Sequence, residues 1–444
     1  MKRLIAAAAL MVLVAGCGAA PGAKTEDTKA TPAATVAAKP DIAKAGDVTL
    51  TVWDQNVRGG QNKEIEELNQ QFMAKYPNVT IKRTAKSFED LLKTVKLAVS
   101  GPDAPDVVQA NQGRGTMGEM VKAKLLRPLT DYAKVYGWSD RYSPTLLALN
   151  SFSPDGKDFG SGDLYGLSQA GEIVGVFYNK DKVPDPPQTF TTFEESLQQA
   201  KDAGDTPIMF GNLEKWPGIH NFESVLGQTA DKQAIRDFVF AKEGASFNNP
   251  DFTAAATKIK EWVDKGYFNK DFNGTDYDPA WKAFAKGQSP YLIAGTWVTA
   301  DLEQRMGDKV GFTLMPGVDP DAPVSLGGED LPWSVTTASK HPDVAAAYID
   351  FLTDANAAKV LVDTDNLPAM KGAPAPASGL SVDVSNAWQK LNDADGVIPY
   401  LDYTTPTFYD DISSAIQELL AGKQTPEQFT KGVQEKFDKW AQSR

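Results

Sequence analysis

From Asp47 onward the chain switches repeatedly between two hydrophobic periods, and this alternation restricts its fold more than any other feature. Val48-Thr49-Leu50-Thr51-Val52-Trp53 alternates apolar and polar residues with β-branched content, which predicts a strand. Ile65, Leu68, Phe72 and Met73 fall on one stripe and predict an amphipathic helix over Lys63 to Tyr76, stopped by Pro77-Asn78. Val79 to Arg83 is the next strand, Phe88 to Ser100 the next helix, and Pro105 to Ala110 a third strand. Strands alternating with helices build β-α-β units, hence an α/β fold with a largely parallel sheet under helices. The pattern resumes with a glycine-broken extended stretch over 166–179, helices over 193–203 and 251–265, and strands over 290–295 and 310–314. Helices over 342–353, 408–421 and 426–440 complete it.

The ends and the composition set the setting. Two basic residues, Lys2 and Arg3, precede an apolar run and small residues that end at Cys17, the pattern of a secretory signal peptide over 1–16. Removing sixteen residues from 444 leaves 428, enough for two or three hydrophobic cores. No other stretch has the roughly 18 consecutive apolar residues that a membrane span needs. The formal charge of −13 becomes −15 without Lys2 and Arg3, which argues against nucleic acid and against adsorption on anionic lipid. One cysteine gives neither a disulfide framework nor a thiolate metal site. His220 and His341 lie far apart without ligand spacing, so neither a zinc site nor a Ser-His-Asp triad is expected, and no metal or cofactor. Residues 17–46 contain no aromatic residue and are rich in Ala, Thr, Lys and Pro, a flexible linker before the folded body.

Val14-Ala15-Gly16-Cys17 resembles the lipobox of bacterial lipoproteins, in which the thiol takes a diacylglycerol and the chain is cut before the cysteine. Five further stretches resemble the extracellular solute-binding proteins of carbohydrate ABC importers, akin to maltodextrin-binding proteins. They are Val52-Trp53-Asp54 with the helix ending at Tyr76-Pro77; Ala104 to Val108; Leu164 to Leu167 running into Val176 to Asp181; Phe284 to Gly287 leading to Tyr291 through Trp297; and Ala421 to Thr425. The resemblance implies a two-lobe periplasmic-binding-protein-like fold of type II, with hinge strands and the ligand in the cleft. It places lobe one at 47–170 plus 311–366 and lobe two at 171–310 plus 367–444, with crossings at Gly166–Val174 and near Val310–Phe312. Gly166, Gly171 and Gly175 suit a hinge, because glycine absorbs large φ/ψ changes at little steric cost. The implied protein is extracytoplasmic, lipid-anchored at Cys17, monomeric, and partnered by the permease subunits of an ABC transporter.

A saccharide asks two things of a site. Its C–H faces pack on flat aromatic rings, and its hydroxyls pair with carboxylates and amides. Trp297 follows a strand in Gly295-Thr296-Trp297, where the resemblance places a stacking tryptophan. Glu214 and Trp216 match a carboxylate and an aromatic of one loop in relatives, and Tyr409 a second stacking aromatic; Tyr403 precedes it in the turn Pro399 to Pro406. Trp53, Trp262 and Trp440 lie on strand or helix stripes and read as core. Glu172 matches the hinge carboxylate of relatives, and in an apolar segment such a group needs a partner that a ligand hydroxyl could supply. Asp54, Gln55 and Asn56 end the first strand, and Asn111 and Gln112 the third, where α/β sheets bind ligands beyond the carboxyl ends of strands. Arg114 aligns with a polar position of the same loop, and Gly328, Glu329 and Asp330 read as a turn offering backbone N–H groups.

The leading expectation is non-enzymatic capture of a sugar for delivery to a permease. A polyamine or other small solute on the same fold is the alternative. An anchored glycoside hydrolase using two of Glu172, Glu214 and Asp330 is a third reading, without a motif to fix such a pair.

Overall fold

The structure is a computed structural model that describes residues 36–319 and 322–443. The signal peptide, the lipidation at Cys17 and the linker as far as residue 35 lie outside the described residues. The linker was expected to run to residue 46, but its last part docks on the body. Ile42 is buried in the short turn Ile42–Lys44, and Asn78 donates its amide to the carbonyls of Ile42 and Gly46.

Among the described residues, eleven strands form two main sheets and a small hairpin. They are β1 (Val48–Asp54), β2 (Val79–Ala85), β3 (Val107–Gln109), β4 (Ser151–Phe152), β5 (Asp163–Leu164) and β6 (Gly171–Asn179). Then come β7 (Tyr291–Gly295), β8 (Val310–Thr313), β9 (Ser325–Glu329), β10 (Trp333–Val335) and β11 (Val397–Ile398). The first sheet runs β10-β3-β1-β2, parallel except for β10. Alternation in β1 buries Val48, Leu50 and Val52 and aligns Val48 with Val79 of β2. The second sheet runs β11-β9-β6-β7, with β8 also paired to β6.

The two sheets are joined by a pair of antiparallel connections. Leu167 and Trp333 exchange backbone hydrogen bonds of 3.1 and 3.0 Å, and Gly171 to Ile173 then pair with Glu329 to Gly327. The return crossing therefore lies at 327–333, not at 310–312 as the resemblance implied. β8 pairs along Val176 to Asn179, so residues 310–313 stay with the second sheet. A third stretch passes at 367–369, where Gly171 N–H bonds the Leu367 carbonyl and Ala369 N–H bonds that of Gln169.

The hinge glycines also work differently from expectation. Gly166, Gly171 and Gly175 all keep negative φ, outside the set of positive-φ positions. They serve close packing: a Cβ on Gly175 would sit 2.4 Å from the Phe312 ring, and one on Gly166 2.8 Å from Pro332. The unusual backbone lies on the returning strand, at Gly327 (φ 149°) and Gly328 (φ 139°). The first helix spans Gly59–Lys75, four residues longer at its start than the apolar stripe predicted. Gly60 explains the extension, since its bare Cα lets the helix approach Ala300 and Thr364, where a Cβ would meet atoms at 2.6 and 2.8 Å.

Candidate functional site

The carboxyl ends of β1 and β3 face the second sheet's loops across one cavity of about 70 Å³. The first lobe contributes Gln55 and Arg58 after β1, Asn111 after β3, and Phe88 at the start of helix Phe88–Ser100. Glu172 and Leu331 come from the crossing strands. The second lobe supplies Trp216, Ile219 and His220 from helix Trp216–Thr229, Trp297 after β7, and Tyr400, Asp402, Tyr403 and Tyr409.

One wall is aromatic and continuous. Trp216 packs 4.5 Å from Tyr277 and 5.8 Å from Trp297; Trp297 lies 5.5 Å from His220, whose ring stacks on Tyr400 at 5.0 Å, and Tyr400 meets Tyr403 edge-on at 5.7 Å. Both indole N–H groups are satisfied away from the rings' faces, Trp297 by Tyr277 Oη at 2.8 Å and Trp216 by Glu89 Oε1 at 3.1 Å. Trp297 folds back over Gly295, where a Cβ would lie 1.8 Å from its ring. The Gly-x-Trp spacing therefore seats the ring: strand β7 ends in a residue without a side chain, and the indole occupies that place.

Polar and acidic groups adjoin this wall. Glu172 accepts a 3.0 Å hydrogen bond from Tyr400 Oη, and burial pushes its carboxyl well above the usual carboxylate range, with Asp330 adding repulsion. Asp402 sits in the turn Leu401–Tyr403, and burial pushes its carboxyl up to about 7. Burial alone holds His220 neutral, with its imidazolium pKa down at about 3. Arg58 pairs with Asp278 of the second lobe at 3.2 Å. Gln55 donates to Asp330 at 2.5 Å, and its backbone N–H bonds Gln109 Oε1 at 2.8 Å, which fixes its position at the strand's end.

Seven of the sequence-predicted residues meet in this cavity: Gln55, Asn111, Glu172, Trp216, Trp297, Tyr403 and Tyr409. The others stand behind it. Asp54 is buried against Arg83 at 2.7 Å, and Asn56 is buried beside it, its N–H on Asp54 Oδ1. Gln112 donates to the carbonyls of Glu329 and Asp330 and accepts from Tyr403 Oη at 3.3 Å, so it orients a lining residue without lining the cavity. Arg114 reaches across to the carbonyls of Val239 and Thr404 at 3.0 and 2.8 Å. Glu214 accepts from the Tyr277 backbone N–H at 3.0 Å. Gly328 and Glu329 lie in buried strand β9 and not in a turn; Glu329 is held by the Asn150 amide. Asp330 is buried on Gln55 and the Leu331 N–H at 2.7 Å.

Arg58, Phe88, Ile219, His220, Leu331, Tyr400 and Asp402 were not anticipated. A signal existed for three of them. Tyr400 and Asp402 share the proline-bounded turn that pointed to Tyr403, and His220 lies one helical turn beyond Trp216. Gly113 (φ 74°) brings the loop after β3 against that turn: a Cβ there would fall 2.4 Å from the Tyr403 Cα.

A model of the family described as bacterial extracellular solute-binding protein matches residues 67–392. Similar relatives include the multiple sugar-binding protein of Streptococcus mutans, 22% identical over 344 residues (75% of this chain, 78% of the relative). Another is the maltodextrin-binding protein of Bacillus subtilis, 24% identical over 388 residues and 84% of each chain. Among solved structures, a chitin oligosaccharide binding protein superposes with a TM-score of 0.76 at 24% identity, over 88% of this chain and 98% of that one.

Proposed function

The chain belongs to the bacterial extracellular solute-binding proteins, and on that premise we propose that it captures an extracellular saccharide and delivers it to an ABC-type permease. The observation that carries the reading is that Glu172, on β6, and Trp297, in the turn after β7, line one cavity together with groups from both sheets. Ring faces from Trp297, Tyr400 and Tyr409 offer packing for C–H surfaces, while Glu172, Asn111 and Asp402 offer acceptors and donors for hydroxyls. Closure follows from differential affinity: a guest touching both lobes favours the state in which they meet. Sugar-named relatives support the saccharide assignment.

The finer parts of the reading rest on sequence. Cys17 carries the lipid anchor, the protein works as a monomer outside the cytoplasm, and it binds without hydrolysis. Of the three carboxylates considered for hydrolysis, Glu214 and Asp330 are engaged by backbone N–H groups behind the cavity wall. The experiment is a titration of intrinsic tryptophan emission with a panel of mono- and oligosaccharides, since Trp216 and Trp297 both border the site. Saturation by at least one sugar is expected; a flat response across the panel refutes the proposal. Release of reducing ends from a bound oligosaccharide would refute the non-enzymatic part.

A further inference from the structure

The charges around the cavity do not balance. Arg58 is the only lysine or arginine among the lining residues, and its guanidinium is committed to Asp278 at 3.2 Å while lying over the Tyr277 ring. His220 contributes no charge, because burial keeps it neutral. Against this stand two lining carboxylates. Asp402 has no side-chain partner among the described residues, only its own backbone N–H. Glu172 has Tyr400 Oη on one oxygen and, among the described residues, no cation within ion-pair distance. Behind them lie Glu223, which accepts from the Leu401 N–H at 2.7 Å, and Asp330. Two cations stand behind the lining: half-buried Arg83 is spent on Asp54, and buried Arg114 is held by the carbonyls of Val239 and Thr404.

A buried carboxylate is costly unless paired. Burial therefore favours the protonated form of Glu172 and Asp402 in the empty site; hydroxyls of a neutral sugar leave it so, whereas an ammonium group lets both carboxyls ionise against it. The aromatic wall beside them is suited to the same group. Trp297, Tyr400, Tyr403 and Tyr409 border the space, and ring faces attract a cation within about 6 Å. Resting on the saccharide reading above, we infer that the guest bears a basic nitrogen: the site takes an amine-bearing saccharide, with its ammonium group between Asp402, Glu172 and the aromatic wall.

The test compares charge on a constant skeleton. The folded secreted chain is titrated calorimetrically at pH 7 with glucosamine, galactosamine and the β-1,4-linked dimer of glucosamine. Each is paired with its hydroxyl parent, glucose, galactose or cellobiose, and spermidine serves as a cation without a sugar. At least one amine is expected to bind tenfold or more tightly than its parent. In Asp402→Asn that ratio should fall to within about twofold, with unchanged far-UV circular dichroism and melting temperature. Should Asp402→Asn not fold, Glu172→Gln and the wild-type ratios carry the same comparison. If sugars bind but no amine binds tenfold more tightly than its parent, this inference is overturned and sugar capture stands. Saturation by spermidine with no sugar bound overturns both, as does no binding by any of the seven compounds.

Discussion

The seat of Trp297 gives the sharpest test of how the site is built. In Gly295→Ala the new methyl carbon would stand 1.8, 2.1 and 2.3 Å from three atoms of the indole. Carbon atoms rest at ~3.5 Å or more, so the ring must retreat by about 1.7 Å. It cannot do so freely. Trp216 is 5.8 Å away, His220 5.5 Å and Tyr277 6.3 Å between centroids, and a shift of that size breaks the 2.8 Å bond to Tyr277 Oη. Overpacking of this kind costs about 1–3 kcal/mol of stability. Loss of one well-placed ring face costs the guest about 1.4 kcal/mol or more, a tenfold weaker Kd. Gly274→Ala is the control, because nothing lies within 4 Å of a Cβ there and its φ is not positive. The assays are thermal unfolding, near-ultraviolet circular dichroism and a titration with the sugar found by the panel. Gly295→Ala should lower the melting temperature by a few degrees, alter the aromatic spectrum and weaken binding at least tenfold, while Gly274→Ala changes none of these. Wild-type binding and spectrum in Gly295→Ala would show that the ring does not depend on that glycine.

Three other outcomes follow from the geometry. Tyr400→Phe deletes the hydroxyl that donates to Glu172 at 3.0 Å and leaves a buried oxygen unpaired, so thermal unfolding should show the ligand-free protein destabilised by about 1–3 kcal/mol; an unchanged melting temperature would show that the bond contributes nothing. Among the contacts across the cavity, beside those of Arg114 and Tyr403, are Trp216 Nε1 to Glu89 and Arg58 to Asp278. Removing both with Glu89→Ala and Asp278→Ala should cost the closed state about 1 kcal/mol per contact and enlarge the ligand-free radius of gyration in small-angle scattering; an unchanged radius would mean these contacts do not hold the lobes. Without ligand, stability should fall as pH rises from about 4 to about 7. Asp402 titrates at about 7 against 3.8 unfolded, and Glu172, Glu223 and Glu329 are raised by burial as well. The native state then holds protons that the unfolded chain has released, so the contribution is complete below the unfolded values and lost through the folded ones. The melting temperature should be higher at pH 5 than at pH 8, and the reverse order would contradict the burial of these carboxylates.

How far the sequence carried depended on whether a residue's role was set locally. Trp297 was legible because its seat is two residues away: a strand end, a glycine and a tryptophan specify the fold-back without help from the rest of the chain. Glu172 was legible because a carboxylate inside an apolar strand needs a partner, and the cavity and Tyr400 are what it found. Asp54, Gln112 and Glu329 were misread for the complementary reason. A polar residue at a strand end looks the same whether it meets solvent, ligand or a distant side chain, and only the fold brings Arg83 to Asp54 and Asn150 to Glu329. Arg58 had no local signal at all, since its place in the cavity depends on a helix starting at Gly59 against Ala300, a contact between segments more than 200 residues apart. The return crossing fails in the same way: Val310 to Thr313 reads as a strand, but which sheet it joins is decided by four partners in β6. Periodicity therefore fixes what an element is and which face it buries. The acidic surplus beside the rings arises only when the Leu401–Tyr403 turn and β6 meet, which is why charge on a guest is a question that the assembled cavity poses and the linear chain does not.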